Sequence, residues 1–543
     1  MIWLVCFFFL ATSFSHAQQS TNGFGYYLSN NQVTITNYSG PGGAVSIPAT
    51  IEDTPVTTVG DYAFAEKTNI TSILFPATVT NFGEGAFAGC SSLSSITIPE
   101  GTTSLKLGTF GNCDKLTNVS LPSTLLSIGN YAFLDCDILE SITLPTNLTS
   151  LGEAAITQCY NLKNVSIPSS LTNIEPLNFY LLPMLEMINV DSNNLAYTSD
   201  EGVLYNKDKS LILKFPAKKQ VSSFSLPTSL NSIGDHAFMG NFYLTNLVIP
   251  EGVTNIGAWA VTDCKMLQSV QIPSSSTNIS QSNFQQCYNL LTINVNGGNP
   301  VFFSQDGVLF LNQLYWMNTN YIYKEVLYRF PNGFSGNYIV PTGTKSIYWA
   351  AFEYSTNITS VYIPDSVETI GPFAFAQCYN LTNVILPSNL KILSREVFSW
   401  CDKIQSIVIP SSVTNVESAP FGYFKQPSAV YFLGNTPTTG TYFTPSSNSI
   451  FYYRPGSSGW TNFNSAYVQP GLPPISASTT LLTTNNNSKF SLRFSTFTSL
   501  QYTVQKTTNL NTWTNVHVVQ GDNSEKEFQE NIADRGFFRV LQE

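Results

Sequence analysis

At 543 residues the chain is long for one compact core, so several domains or a repeat array are expected. Charged side chains make up only 11% while aromatics reach 13%, and Ser, Thr and Asn are abundant, a mix that suits an extracellular β-rich protein better than a cytosolic enzyme or a disordered chain. A net charge of −10 leaves no basic patch to release counterions, which excludes a nucleic-acid partner.

Residues 1–17 read as a signal peptide. The apolar run from Met1 to Thr12 is too short to span a bilayer comfortably, and Ser15-His16-Ala17 fits a small-x-small cleavage site before Gln18. No Lys or Arg precedes the apolar core, so an N-terminal membrane anchor stands as the alternative. Cys6 lies inside the run and away from the cleavage point, which does not fit a lipoprotein anchor. No later segment is long and apolar enough to span a membrane after signal cleavage, so the expected location is secreted or on the cell surface.

From residue 56 a single unit repeats. Prolines closing an Ile-x-Ile/Leu-Pro run fall at Pro76, Pro99, Pro122, Pro145 and Pro168, then at Pro227, Pro250 and Pro273, then at Pro341, Pro364, Pro387 and Pro410, with steps of 23 residues inside each block. A second marker keeps phase: Phe64, Phe87, Phe110, Phe133, Ile156 and Phe179; Phe238, Val261 and Phe284; Phe352, Phe375, Phe398 and Phe421. That makes thirteen copies.

The copy from Pro122 to Pro145 shows the mechanics. Ile142 and Leu144 are two apart and share one face of a short strand, with Thr143 on the other. Gly129 permits a sharp turn, and Ala132-Phe133 begins a short helical or 3₁₀ turn whose Phe leans inward with Leu139. Pro145 lacks the donor that would prolong the strand. One unit buries too few side chains to offset the entropy of ordering itself, so only stacking makes it stable. At about 4.8 Å per coil, thirteen coils form an arc of roughly 60 Å with a parallel sheet along one side.

The pattern Ile-Pro-x-x-Val-Thr-x-Ile-Gly-x-x-Ala-Phe-x-x-Cys-x-x-Leu-x-x-Ile-x-Ile-Pro, seen over Ile249 to Pro273 and Ile363 to Pro387, resembles the BspA-type leucine-rich repeat. The resemblance covers about residues 44–432. It implies an exported bacterial surface protein of the kind proposed as adhesins or ligand-binding arrays, and it supplies no catalytic set. The segment Val33 to Pro48 resembles the β-hairpin cap that opens such arrays, giving an N-terminal cap over 18–55 and repeats over 56–432.

Two related insertions break the phase, at about 191–226 and 296–340. Val190 to Tyr205 matches Val295 to Phe310, and both insertions close on Phe-Pro, at Phe215-Pro216 and Phe330-Pro331; they read as β-hairpin excursions from the stack. The second carries Tyr315, Trp316, Tyr321, Tyr323 and Tyr328, either a platform for stacking sugars or an apolar hairpin packed on its neighbours. After Phe432 the phase is lost. Phe451 to Trp460 resembles the closing segment of such arrays and Gly471 to Pro474 reads as a linker, so 433–474 is assigned as C-terminal cap and linker. Alternation in Phe490-Ser-Leu-Arg-Phe, Tyr502-Thr-Val-Gln and Phe537-Phe-Arg-Val-Leu predicts a small antiparallel β-sandwich over 475–543. It looks like the C-terminal modules of exported bacterial proteins, with Thr508-Asn-Leu-x-x-Trp513 as its signature. The fold class expected is therefore mainly β: a leucine-rich-repeat solenoid of parallel sheet plus short helical or 3₁₀ turns, then a β-sandwich.

Chemistry has few footholds. Outside the leader only His236 and His517 remain, and Gly-Lys-Ser/Thr, His-Glu-x-x-His and Gly-x-Ser-x-Gly are absent. No enzyme, cofactor or metal site is expected. Cys90, Cys113, Cys136, Cys159, Cys264, Cys287, Cys378 and Cys401 all hold one repeat position, without metal spacing. They form either a reduced buried ladder or four bridges between neighbouring coils, whose spacing a disulfide can span. The candidate binding face is the outward strand row Asn118, Ser120, Ser141, Thr143, Asn164 and Ser166, small and uncharged, suited to an extracellular protein or glycan; the same row could merely keep a sheet soluble. A purely structural envelope role is the alternative, and a carbohydrate-active enzyme a third. The chain is expected to be a monomer.

Overall fold

The computed structural model describes residues 19–315, 322–423, 428–439, 449–453, 457–460, 468–470, 489–495, 501–507, 514–520, 525–531 and 537–542. The leader, the linker at Gly471–Pro474 and the Thr508–Trp513 signature lie outside the described residues.

Each coil contributes two strands. A two-residue strand such as Ser127–Ile128 precedes the turn, and a three-to-five-residue strand such as Ser141–Thr143 precedes the proline. Both stack in parallel at the 23-residue step, Ser104↔Ser127↔Ser150 in the short ladder and Asn118↔Ser95 in the long one. The inward residue of each strand is buried, as Val119, Ile142 and Val165 are, because the alternation of the pleat sends every second side chain to the core.

The third side of the coil departs from expectation. Apart from one 3₁₀ segment at Pro176–Phe179, the described turns around the Phe marker are not helical. Residues two before and two after the marker sit in the left-handed region: Tyr131 at φ 58° and Asp135 at φ 57° around Phe133, and likewise Phe373 at 56° and Gln377 at 60° around Phe375. These alternations break a helical run, and the amides point along the stack instead: Tyr131 N–H donates to Glu153 (3.0 Å), Phe133 to Ala155 (2.8 Å) and Asp135 to Thr157 (3.2 Å). All three sides of the coil are thus ladders.

Inside, the marker rings stack coil upon coil, Phe87 on Phe110 at 5.3 Å and 7° and Phe110 on Phe133 at 5.6 Å and 8°. The eight cysteines are free and buried. Each thiol donates to the carbonyl of the marker residue one coil back: Cys90 to Phe64 (3.1 Å), Cys136 to Phe110 (3.3 Å), Cys264 to Phe238 (3.3 Å), Cys401 to Phe375 (3.0 Å).

The insertions are more than hairpin excursions. Each is a three-stranded antiparallel meander, Tyr197–Asp200, Val203–Asn206 and Leu211–Lys214 in the first and Phe302–Gln305, Val308–Tyr315 and Ile322–Arg329 in the second. The third strand of each joins the short ladder in parallel, Ile212↔Ile233 and Leu327↔Ile347. The second insertion ends earlier than 340, because Gly336–Ile339 already belongs to the long ladder beside Ile358–Tyr362. The middle strands are buried on both faces and divide the interior. Leu204 belongs to the N-terminal core while Val203 and Tyr205 face the next; Leu309 and Leu311 face that middle core while Val308 and Phe310 face the last.

At the N-terminus the strands Phe24–Ser29 and Gln32–Tyr38 form a hairpin over Asn30-Asn31, at φ 51° and 57°, the left-handed pair a two-residue type I′ turn requires. Gln32–Tyr38 then opens the short ladder on Thr54–Val59, and Gly43–Ser46 opens the long ladder on Ile70–Leu74. At the other end the long ladder continues beyond 432 through Ser428–Phe432, Ser449–Tyr453 and Val468–Pro470, although the sequence phase has been lost. Trp460 donates its indole N–H to Gly434 (3.2 Å) and stacks on Tyr453 at 5.4 Å, covering the apolar end. Further on, Lys489–Ser495 pairs with Glu525–Asn531, and Gln501–Thr507 lies between Thr514–Gln520 and Phe537–Gln542, all antiparallel.

Candidate functional site

The long ladder presents one outward face. Asn118, Ser120, Ser141, Thr143, Asn164 and Ser166 are all exposed, flanking buried Val119, Ile142 and Val165. They fall in two runs of the ladder: Ser141↔Asn164↔Met187 and Thr143↔Ser166↔Asn189 in one, Asn118↔Ser95 and Ser120↔Thr97 in the other. None of the six side chains hydrogen-bonds within the described chain. The outward residues of the short ladder differ: Ser127 donates to Ser104 (2.8 Å), Asn278 to Asn255 (2.6 Å), and Ser346 and Thr369 share a bond of 2.7 Å. Further along the long ladder outward side chains also pair, Ser269 donating to Asn246 and Ser360 to Asn337, both at 2.7 Å, so only the first block leaves this whole row to solvent or a ligand. No outward position of the long ladder from Ser72 to Val408 carries a charge.

Of the aromatic group of the second insertion, only Tyr328 has a described side chain. Trp316 and Tyr321 lie outside the described residues, and Tyr315 pairs with Ile322 while Tyr323 pairs with Leu314, register positions of opposite parity. Tyr328 is core: its ring meets Phe302 and Tyr348 at 5.4 and 5.1 Å and its hydroxyl donates to Ile279 (2.6 Å).

The thiols, Lys214 and Arg329 are buried, and His236 is half-buried. Burial pushes the Cys90 and Cys159 thiols up to about 12 and Cys136 well above the ordinary range, so none offers a thiolate. His236 sits edge-on to Tyr180 at 4.9 Å and stacked on Trp259 at 5.4 Å; burial, helped by the Lys214 charge, lowers it to about 4. Lys214 is itself buried and lowered to about 8, its ammonium donating to the His236 carbonyl (3.2 Å). Arg329 holds the equivalent place in the second insertion and donates to Ala350 (2.6 Å). Sequence reading passed over this pair, although Lys214-Phe-Pro and Arg329-Phe-Pro carry the signal: each cation ties a meander exit to the next turn. Among the described residues no cluster of three or more His, Cys, Asp or Glu could hold a metal ion, and no helix is long and apolar enough to cross a membrane.

The family model described as BspA type leucine rich repeat region matches six copies, over residues 55–199, 214–304 and 332–451. The chain belongs to the BspA-type leucine-rich-repeat family. Its ladder geometry resembles solved leucine-rich-repeat proteins from Eubacterium ventriosum (24% identity, 79% of this chain and 97% of that one, TM-score 0.46) and Bacteroides ovatus (22%, 76% and 99%, 0.43). It also resembles the pneumococcal vaccine antigen PcpA (18%, 84% and 97%, 0.44). No curated protein matches. BspA-type repeats form a leucine-rich-repeat scaffold, and the eight cysteines, the Phe markers and the prolines are recurring positions of that scaffold.

Proposed function

We propose that this BspA-type protein is an exported or surface-exposed, non-enzymatic binding scaffold, acting as a monomer through the outward face of its long ladder. The observation that carries the reading is the row Asn118, Ser120, Ser141, Thr143, Asn164 and Ser166, six exposed side chains on adjacent coils whose hydrogen-bonding groups have no partner among the described residues. Such a row recognises a ligand by many weak, uncharged contacts repeated at the coil spacing of about 4.8 Å. The leader supports export, and the burial of the thiols and the half-buried, ring-packed state of His236 support a non-catalytic role. The test is a protein and glycan array screened with the chain from Gln18 onward. Saturable binding that is lost when Asn118, Ser141 and Asn164 are changed together to Ala supports the scaffold. Binding to nothing leaves a structural envelope component, and turnover on a polysaccharide panel would make it an enzyme.

A further inference from the structure

The outward face changes character along the solenoid. In the first block the second outward position holds Leu74, 69% exposed, and then Thr97, Ser120, Thr143 and Ser166. In the third block the same position holds Ile339, Tyr362, Ile385 and Val408, with Ile339↔Tyr362 and Tyr362↔Ile385 in register. Ile339 is 54% and Val408 38% exposed, and Tyr362 and Ile385 are half-buried between them. The file ends on Tyr431, stacked on Tyr452 at 4.8 Å. Beside it runs a second file, Asn337, Ser360, Asn383 and Ser406. Ser360 donates to Asn337 (2.7 Å), while Asn383 and Ser406 have no side-chain partner among the described residues. Each coil therefore offers one apolar and one hydrogen-bonding side chain, and neither file carries a charge.

The geometry points to a neutral polysaccharide chain, laid along these two files, as the ligand of the third block. This rests on the scaffold reading above and names its ligand class. Three features select it. An uncharged face gives a charged ligand no ion pair, and a net charge of −10 repels a polyanion. The apolar file is one side chain wide and about 15 Å long over its three coil steps, a ribbon rather than the ~800 Å² per partner that a stable protein interface needs. An extended peptide is disfavoured because the strand backbones are occupied by neighbouring coils, Val340 donating to Tyr362 and Ile363 to Ile385, both at 3.0 Å. Peptide groups laid over Ile385 would go unpaired. A sugar ring instead sets its C–H face on Tyr362, Ile385 and Val408 and turns hydroxyls toward Asn383 and Ser406 or to water.

The experiment is affinity electrophoresis of the full chain through gels containing xyloglucan, mixed-linkage β-glucan, galactomannan or dextran, with polygalacturonate as the charged counterpart. Retardation is expected from at least one neutral polymer, none from polygalacturonate, and no change when NaCl is raised. Tyr362→Ala and Ile385→Asn, both on the solvent side of the sheet, each weaken binding at least tenfold, whereas Leu195→Ala, 81% exposed in the first insertion and outside both outward files, changes it less than twofold; an unchanged denaturation midpoint confirms that each variant folds. No retardation by any neutral polymer, or retardation that Tyr362→Ala and Ile385→Asn leave intact, overturns the assignment. If the array then finds a protein ligand, the scaffold reading survives without the glycan; no ligand of either kind sinks both.

Discussion

Replacing Cys136 separates the two roles its side chain has in the stack. The residue is fully buried, and its thiol donates to the Phe110 carbonyl at 3.3 Å. Cys136→Ala removes the donor and one sulfur. An unsatisfied buried carbonyl costs about 1–3 kcal/mol, and a hole of methyl size adds about 1 kcal/mol, so a loss of about 2–4 kcal/mol is expected. Cys136→Ser keeps a donor aimed at the same carbonyl and is expected to stay within about 1 kcal/mol of the parent. The fold already tolerates other polar side chains there. Asn241 takes this position in its coil and donates to Pro216 (3.2 Å), and Ser355 takes it in another, accepting from Asn332 (3.1 Å). Urea denaturation under reducing conditions, followed by circular dichroism, measures both variants. If Ser proves as damaging as Ala, the thiol matters by its bulk and the hydrogen-bond argument is wrong. Thiol titration of unfolded, unreduced protein adds a separate check, since the free ladder requires eight thiols.

The dividing strand makes a prediction about cooperativity. Leu204→Ala, at about 2–5 kcal/mol, should speed amide exchange in the coils around Phe133 and Phe179, whereas Val203→Ala should speed it around Phe238 and Val261; equal effects on both sides would show that the cores are not partitioned. The buried Tyr205 hydroxyl has no hydrogen-bond partner among the described residues, so Tyr205→Phe should raise stability by about 1 kcal/mol, read as a higher urea midpoint. His236 is held at about 4 in the fold against an ordinary 6.5, so the unfolded chain takes up the proton first. Its contribution is whole above pH 6.5 and is lost as the pH falls toward 4, by about 2 kcal/mol once its partial exposure is discounted. His236→Gln should flatten the midpoint over that interval, and an unchanged slope would show that the ring is solvated.

Much of the architecture was legible from residue spacing alone. The 23-residue phase of the Phe and Pro markers required stacked coils, because no single unit buries enough to stand by itself, and the alternation of Ile142 and Leu144 about Thr143 fixed which side chains face out. The shared position of the cysteines left two states open, and the inward geometry that aims each thiol at a carbonyl chose the reduced ladder. Other features had no local signal. Tyr131 adopts left-handed backbone that its residue type does not announce, because its amide, bonded to the next coil, compensates the strain. Strand Val203–Asn206 reads as an ordinary hairpin strand; only when cores lie on both sides does its double burial make it a divider. The ladder outlives its repeat beyond Phe432 because backbone pairing needs extended chain at the right height rather than a particular motif. The apolar file of Ile339, Tyr362, Ile385 and Val408 follows the same rule. Each residue is unremarkable in its own coil, and stacking alone sets them in one line beside Asn383 and Ser406. Repetition along the chain determines the solenoid; neighbours contributed by other coils determine what its surface can hold.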